Sequence, residues 1–281
     1  DNSQGEEYLT DLVGLAREAG RVVAAVAAPD PADTMGVNNR AQLAEVGAIM
    51  RHRINHSWML AGVTMPDPAA TYIDAGVVLE PDSTVLPGSW LRGASVVATG
   101  AVVGPGTMLL DSAVGPDAVV EQSHCVQAVI GSGCQVGPYS RLRPGTELET
   151  GSRVGSFVEI KNSTVGAESK VPHLSYVGDA TIGSGTNIGA ATVVVNYDGQ
   201  SKHRSTIGSQ VRIGSDTMLV APVQVGDGAY TAAGSVITED VPPGALAVAR
   251  GRQRNVEGWV QTRRPDTESA AAAAAAQEGE Q

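Results

Sequence analysis

The sequence predicts a mainly β protein built as a solenoid of short, stacked strands. Aliphatic residues recur at every sixth position over most of the chain, and neither an α-helix, with a period of 3.6, nor a simple strand, with a period of two, gives this spacing. A short strand followed by a tight turn does give it. Aromatic residues make up only 4% of the 281 residues and glycine occurs 34 times, which favours thin aliphatic layers over a helix bundle.

The six-residue repeat defines the coils of this solenoid. If each aliphatic side chain points inward and the small residue after it forms a corner, stacked corners bury a continuous core. Residues 73–238 suffice for about nine coils of eighteen residues. The repeat positions are Ile73, Leu79, Val85, Leu91, Val97, Val103, Leu109, Val114, Val120, Val126, Val136, Leu142, Leu148, Val154, Ile160, Val165, Val171, Val177, Ile182, Ile188, Ile207, Ile213, Leu219 and Val225.

The repeat is interrupted between Val194 and Ile207 by a polar stretch, "NYDGQSKHR". Insertions in a solenoid are displaced to its surface, so we expect this stretch to form an extruded loop. It is either a solvated bulge or a binding element.

Two helices are predicted before the solenoid. Residues 6–28 suit an amphipathic helix that stops at Gly20 and is followed by a short strand, as at the end of a larger α/β domain. Asn39 to about Leu60 suits a second helix with an apolar stripe at Leu43, Val46 and Ile49 or Met50. The C-terminal stretch "DTESAAAAAAAQEGEQ" is of low complexity, and we expect it to be disordered, although its seven alanines favour a transient helix.

Charge and cysteine content limit the function classes. The formal net charge of −11 argues against nucleic acid as a partner, so an anionic substrate would need a local cluster of Arg and Lys. No apolar run reaches the length of a membrane span, which predicts a soluble protein. Cys125 and Cys134 are expected to be free, buried thiols in a reducing cytoplasm, and His124 beside the first does not complete a zinc site.

Eight motifs, in chain order, carry a resemblance to a known family. The sequence resembles the bifunctional bacterial N-acetylglucosamine-1-phosphate uridyltransferase/glucosamine-1-phosphate acetyltransferases from residue 1 to about 262. The motifs are "DNSQGEEYLTD", "GVNNRAQL", "LAGVTMPDPA", "RLRPGTEL", "VGSFVEIKNS", "KVPHLSYVGDA", "NIGAATVVVNYDG" and "GSDTMLVAPVQVGDGA".

This resemblance implies a left-handed parallel β-helix of hexapeptide repeats, preceded by a long linker helix and a small α/β remnant. We expect a remnant of the uridyltransferase domain at 1–40, the linker helix at 41–61, the acetyltransferase β-helix at 62–250, and a C-terminal helix with a disordered tail at 251–281. The family forms homotrimers with active sites between subunits and supplies UDP-N-acetylglucosamine for the cell wall.

The implied reaction moves an acetyl group from acetyl-CoA to the amine of glucosamine 1-phosphate. Uridyl transfer is expected only in a full-length parent protein, because the nucleotide loop of the family is missing. Of the family's magnesium ligands only Asn38 remains, and one carbonyl oxygen does not satisfy the octahedral preference of Mg²⁺.

Acetyl transfer requires a base for the sugar ammonium, stabilisation of a thioester oxyanion and an anchor for the phosphate. His173 suits the base because imidazole titrates near working pH, although a lone histidine in a solenoid is more often structural. The resemblance favours the base. Arg143 and Lys161 are eighteen residues apart, one coil, so their side chains are expected in register with an anion between them; the alternative is two solvated charges.

The remaining site residues follow from the resemblance alone. Tyr176 and Asn187 would hydrogen-bond the sugar, and Lys202 would reach the site from a neighbouring subunit. Trp259 is expected to pack against the body as a lid or, less often, to stack on the CoA adenine. Acetyl-CoA contacts are expected at Ala190, Asn196, Tyr197, Ser215, Ala233 and Arg250.

Several alternatives remain open from the sequence. A hexapeptide acyltransferase acting on another sugar or on lipid A would share the repeat and the histidine base. A γ-class carbonic anhydrase shares the fold but needs three histidines on zinc, and the repeats contain only His124, His173 and His203. A purely structural solenoid would not need His173.

Overall fold

A computed structural model of the chain describes residue 5 and residues 8–278. Four α-helices lie outside the solenoid: α1 (Asp11–Glu18), α2 (Arg40–Leu60), α3 (Trp259–Arg263) and α4 (Glu268–Glu278). Short 3₁₀ turns occupy Pro31–Thr34 and Pro68–Ala70.

Between α2 and α3 the described chain forms 29 short strands of two to four residues. They are β1 (Tyr72–Ile73), β2 (Val78–Leu79), β3 (Thr84–Val85), β4 (Trp90–Arg92), β5 (Val96–Val97), β6 (Val102–Val103), β7 (Met108–Leu110), β8 (Ala113–Val114), β9 (Val119–Val120), β10 (His124–Val126), β11 (Ala128–Ile130), β12 (Gln135–Val136), β13 (Arg141–Leu142), β14 (Thr146–Leu148), β15 (Arg153–Ser156), β16 (Glu159–Lys161), β17 (Ser163–Val165), β18 (Lys170–His173), β19 (Tyr176–Gly178), β20 (Ala180–Ile182), β21 (Asn187–Ile188), β22 (Val193–Val195), β23 (Ser205–Ile207), β24 (Arg212–Ile213), β25 (Met218–Val220), β26 (Gln224–Val225), β27 (Tyr230–Thr231), β28 (Val236–Ile237) and β29 (Leu246–Ala247).

Every third strand joins the same sheet, so the chain winds as a parallel β-helix. Sheet 1 contains ten strands from β1 to β28, sheet 2 nine strands from β2 to β26, and sheet 3 ten strands from β3 to β29. All strand pairs are parallel, as between Trp90 and Met108 one coil on. The predicted β-helix is confirmed, and with about ten coils it is one coil longer than the repeat count indicated.

The core is a single column of aliphatic side chains inside the three sheets. The central residues of the strands, such as Leu91, Leu142, Ile160 and Leu219, have no exposed surface. One repeat position differs from the prediction: in β10 the inward residue is Cys125, and Val126 lies on the half-exposed outer side. The coil from β7 to β10 is two residues short, since Leu109 pairs with Cys125. The predicted positions allow for one missing residue, before Val114, and the second, after Val120, moves the inward position by one.

Both cysteines are free and buried, as predicted. Burial raises the pKa of Cys125 to about 12, so this thiol is a packing group and not a nucleophile. The sulfur of Cys134 lies 3.0 Å from the carbonyl oxygen of Glu149.

The first helix ends at Gly20 as predicted. Gly20 has a φ of 71°, and the N–H groups of Gly20 and Arg21 donate to the carbonyl groups of Arg17 and Ala16, which is a Schellman cap. The short strand predicted after it is wrong: residues 21–28 are irregular and exposed. A strand requires a partner, and none lies beside this segment within the described residues. Residues 6 and 7 of the predicted helix lie outside the described residues.

The second helix begins where predicted, because the Asn39 side chain caps it by accepting from the Gln42 N–H at 2.9 Å. Its predicted stripe is not buried: Leu43 and Met50 are 58% and 52% exposed. The last two turns make the contact instead, through Ile54, Trp58 and Met59 against the first coils.

At the C-terminus the expectation of a disordered tail is wrong for Glu268–Glu278, which form α4 and pack against α3. Alanine has the highest helix propensity, and the Thr267 hydroxyl caps the first turn by accepting from the Ala270 N–H. Ala270 is buried in this contact. Residues 279–281 lie outside the described part.

The helices of residues 8–278 include none that is both long and apolar enough to cross a bilayer.

The core column makes a first prediction. Leu142→Ala removes a fully buried side chain and should lower the free energy of unfolding by about 2–5 kcal/mol, measured by urea denaturation. Leu60→Ala is the matched control, because Leu60 is 77% exposed at the end of α2 and its loss should stay within about 0.5 kcal/mol. Equal losses for the two variants would contradict an aliphatic core that holds the coils together.

Candidate functional site

The cations expected to hold a phosphate lie in register at one corner of the β-helix. Leu142 pairs with Ile160, so Arg143 and Lys161 follow one above the other where sheet 1 turns into sheet 2, which we call the lysine corner. The predicted register is present, and each cation also has a carboxylate partner within the chain. Arg143 pairs with Glu159 at 2.8 Å, and the Lys161 ammonium lies 3.8 Å from a carboxylate oxygen of Asp179.

Asp179 organises the lysine corner. Its side chain is only 10% exposed and accepts hydrogen bonds from the amides of Asn162 and Asn196 in addition to the Lys161 contact. Burial alone raises the pKa of Asp179, but the two amides and the ammonium groups of Lys161 and Lys202 together hold it below its ordinary value. The carboxylate is therefore ionised at neutral pH and holds three donors in fixed positions.

The extruded loop brings Lys202 to the same corner of its own chain. Tyr197 and Lys202 pair across the loop, and the His203 N–H donates to the Asn196 carbonyl at 2.8 Å. The Lys161 ammonium lowers the pKa of Lys202, so the two side chains are neighbours. The loop therefore folds back over its own coil and places Lys202 beside Lys161.

Asp198 fixes the shape of this loop. Its carboxylate accepts from the N–H groups of Ser201 and Gln200 and lies 2.7 Å from Nε2 of His203. These partners hold the pKa of Asp198 well below its usual range, the Ser201 N–H most strongly. These bonds give the loop a defined shape, and Tyr197 closes it by donating its hydroxyl to the Gly199 carbonyl at 2.7 Å.

Tyr176 lies on the outer face of sheet 1 beside the lysine corner. A Cβ atom placed on Gly178 would come within 2.5 Å of the Tyr176 hydroxyl oxygen and 2.7 Å of the Asn196 amide nitrogen. A side chain at 178 would therefore displace the Tyr176 hydroxyl or the Asn196 amide. Asn196 is 7% exposed and donates to Asp179, so its side chain belongs to this cluster.

His173 lies at the corner between sheet 3 and sheet 1, which we call the histidine corner. Its side chain is exposed, and the imidazole makes no hydrogen bond or ion pair with the described residues. The same corner on the following coils is occupied by Ala190, Ser215 and Ala233. The coils are tied at this corner by hydrogen bonds of 2.7–3.2 Å, in which Ala191, Asp216 and Gly234 donate to the carbonyl groups of His173, Ala190 and Ser215.

Arg250, the last of the predicted acetyl-CoA contacts, lies near the histidine corner on the last coil. The register of β27 with β29 aligns Ala249 with Ala233, and Ala249 accepts a backbone hydrogen bond from Val236 at 3.0 Å, so Arg250 directly follows this corner on the last coil. Arg250 is exposed. Tyr197, in contrast, lies in the extruded loop, away from this column.

A single niche that joins the imidazole to the cations is not formed within one chain. Lys161 pairs with Gly178 on the neighbouring strand. Gly178 is five residues beyond His173, so the backbone from His173 to this level extends up to about 16 Å. Asn187 is also apart: it lies on the outer face of sheet 3, between Lys170 and Arg212. The reason is the corner geometry, because residues one coil apart align and residues within a coil face different sides.

Trp259 is 48% exposed in α3, and the guanidinium of Arg264 lies 5.7 Å from its ring centroid. This cation–π contact covers part of the ring.

The described residues do not fit a metal ion. Among residue 5 and residues 8–278 there is no group of three His, Cys, Asp or Glu side chains able to hold one. Asn38 is exposed, and its N–H is bound to Gln42 at 2.7 Å. His124, His173 and His203 lie on a strand, a corner and a loop, so the three-histidine alternative lacks its ligand set.

Sequence reasoning missed Asp179, Glu159 and Asn162. The sequence contained a usable signal, because two stacked cations on a partly buried corner require carboxylates nearby. Glu159 lies two positions before Lys161, and Asp179 directly follows Gly178.

Comparison with known proteins defines the class. A family model described as bacterial transferase hexapeptide (six repeats) matches residues 127–162 and 204–239. Together with the three parallel sheets, this makes the chain a hexapeptide-repeat protein of the bacterial transferase type.

Full-length relatives define the family. The bifunctional protein GlmU of Streptomyces coelicolor is 58% identical over 98% of this chain and 57% of its own length. GlmU of Kineococcus radiotolerans is 58% identical over 97% of this chain and 56% of its own length. GlmU of Rhodococcus jostii is 56% identical over 98% of this chain and 55% of its own length. The chain belongs to the GlmU family and spans a little over half the length of these relatives. Among solved structures, a Francisella novicida UDP-N-acetylglucosamine acyltransferase is 14% identical over 73% of this chain and 75% of its own, with a TM-score of 0.37.

Asp179 makes a second prediction. The pKa of Asp179 is lower in the folded state than in the unfolded state. Its ionised form therefore stabilises the fold at pH values above the unfolded-state pKa of ~3.9, and this stabilisation is lost as the pH falls through the lower folded-state pKa. Asp179→Asn should therefore lower the melting temperature at pH 7, and its difference from the unmodified chain should shrink below about pH 4.

Asp82→Asn is the matched control, because Asp82 is exposed and also has a positive φ, 64° against 52° for Asp179. Its melting temperature should follow that of the unmodified chain at every pH. A difference for Asp179→Asn that does not change with pH would show that charge is not what this carboxylate contributes.

Proposed function

We propose that this chain is the acetyltransferase part of a bifunctional GlmU protein. It would move the acetyl group of acetyl-CoA to the 2-amino group of glucosamine 1-phosphate, and give N-acetylglucosamine 1-phosphate for UDP-N-acetylglucosamine synthesis. The observation that carries the proposal is the alignment, on successive coils of one corner, of an exposed imidazole with three residues that have small side chains.

The column below His173 suits an extended acetyl donor. Ala190, Ser215 and Ala233 leave a shallow track three coils long, about 14 Å at a strand spacing of ~4.8 Å, and Arg250 lies beyond its end. A pantetheine arm is long and thin, and backbone groups with small side chains allow its close approach. Arg250 suits a CoA phosphate because guanidinium binds phosphate in a bidentate manner.

The lysine corner suits the sugar phosphate. Three cations, Arg143, Lys161 and Lys202, share two carboxylates, so one positive charge remains in excess before substrate binds. The lowered pKa of Lys202 reflects repulsion from Lys161, which an anion between them relieves. Tyr176 would add a neutral hydroxyl for the sugar.

His173 would act as the general base. Because its imidazole is exposed and engaged by no described side chain, it is free to take a proton from the sugar ammonium. The amine lone pair then forms a bond to the thioester carbonyl carbon, and the carbon–sulfur bond breaks as the tetrahedral intermediate collapses. The second proton of the attacking nitrogen passes to solvent as the amide forms, and the CoA thiolate leaves and receives the proton held by the imidazole, so no covalent acetyl-enzyme is needed.

The two corners would be joined by a second copy of the chain. Since one chain separates His173 from Lys161 along sheet 1, the proposal includes a homotrimer in which the histidine corner of one subunit faces the lysine corner of the next. Asn187, on the outer face of sheet 3, would reach the sugar in the same way.

The proposal extends to the compartment and to the other half of the protein. Free Cys125 and Cys134 suit a reducing cytoplasm. Uridyl transfer would belong to the part of the relatives that this chain does not span, and the described residues offer no magnesium site for it.

The third prediction tests the base. His173→Ala should lower the rate of CoA release with glucosamine 1-phosphate by about 10²–10⁴-fold at an unchanged melting temperature. His56→Ala, an exposed histidine on α2, is the matched control and should retain full activity. Full acetyl transfer by His173→Ala would refute the base assignment. A uridyl-transfer assay on the same sample should give no product, and an acyl carrier protein donor should not replace acetyl-CoA.

A further inference from the structure

A row of basic side chains follows the outer face of sheet 3. Strand register places Arg153, Lys170, Asn187 and Arg212 on four successive coils, each beside the next. Lys170 and Arg212 are two coils apart, about 10 Å, with the Asn187 amide between them. We call these four residues the basic row.

The cations of the basic row have no ionic partners. Within the part of the chain that the structure describes, no carboxylate lies within 4.0 Å of Arg153, Lys170 or Arg212, whereas Arg143 and Lys161 on sheet 1 are both paired. The formal net charge is −11, so acidic groups are plentiful elsewhere. Unpaired like charges on adjacent coils repel, which is unfavourable unless an anion lies among them.

The basic row is also partly preorganised. One guanidinium nitrogen of Arg212 donates to the carbonyl groups of Gly185 at 2.8 Å and Val211 at 3.0 Å. This anchors the side chain, while its other two nitrogens have no partner among the described residues. Arg212 is half-buried, so it loses less conformational freedom on binding a ligand than a fully solvated arginine.

A cavity of about 410 Å³ opens between these groups. It is lined by Glu168, Lys170, Gly185, Thr186, Asn187 and Arg212. Glu168 is the one carboxylate in this lining, and it lies over Gly151 on the preceding coil instead of pairing with Lys170 or Arg212. The cavity therefore presents two cations and an amide to its contents.

We propose that this cavity is an anion site for a phosphate-bearing ligand, with Lys170 and Arg212 as its charged ligands and Asn187 as a neutral donor. The site is separate from the lysine corner and shares only Asn187 with the proposed sugar contacts, and its charged ligands, Lys170 and Arg212, have no part in the proposed acetyl transfer. Lys170, Asn187 and Arg212 each lie three residues before a residue of the histidine corner: His173, Ala190 and Ser215. The phosphate group could therefore belong to CoA, to a sugar phosphate or to free phosphate.

The test is calorimetric titration of the full chain with inorganic phosphate, CoA, pantetheine and glucosamine 1-phosphate, each at low salt. Lys170→Gln and Arg212→Gln remove one charge each and keep a hydrogen-bonding side chain. Each should weaken phosphate binding on the order of tenfold, the expected loss of one charged hydrogen bond. Arg17→Gln on α1 is the control, because it changes the net charge equally at a distance from the row.

The ligands separate the sources. Weakened CoA binding with unchanged pantetheine and glucosamine 1-phosphate binding assigns the site to CoA, and weakened glucosamine 1-phosphate binding assigns it to the sugar. Loss confined to inorganic phosphate supports a site for free phosphate. Unchanged affinity of both variants for every phosphate ligand, or an equal effect of Arg17→Gln, would overturn the proposal. Loss of acetyl transfer alone would bear on the proposed function and not on this site.

Discussion

The whole structure depends on one constraint: each short strand must turn at least one side chain inward and hydrogen-bond to the strand one coil away. In the described part of the chain no strand exceeds four residues, so none is stable by itself, and the coil repeat supplies its partners. Once this register is fixed, residues about eighteen positions apart become neighbours. Corners then act as vertical tracks, along which groups distant in sequence are aligned at a spacing of ~4.8 Å.

Two of these tracks differ in the chemistry of their side chains. The histidine corner has an exposed imidazole followed by small residues, whereas the lysine corner concentrates charge around the buried carboxylate of Asp179. A buried carboxylate is costly unless it is fully bonded, and here two amides and an ammonium satisfy it. The same bonds that make Asp179 acceptable in a low-dielectric position hold Lys161 and the base of the extruded loop in place.

Much of this arrangement was predictable from the sequence, because a period of six has few physical solutions. The parallel β-helix, its inward positions, the stacked Arg143 and Lys161, and the caps at Gly20 and Asn39 all follow from local rules. The rest depends on information that spacing does not contain. The inward shift to Cys125 arises from a coil two residues short, and the return of Lys202 to its own chain depends on the Asp198 turn. The absent strand at 21–28 lacks a partner, which propensity alone does not reveal.

The extruded loop is closed at its base, since the His203 N–H bonds to the Asn196 carbonyl and Ser205 returns at once to pair with Ala180. Val193 consequently stays in step with Met218 although 25 residues separate them. A segment isolated in this way can gain or lose residues without disturbing any coil above or below it. Evolution can thus alter the length and content of this loop, while the scaffold that aligns the remaining groups is inherited unchanged.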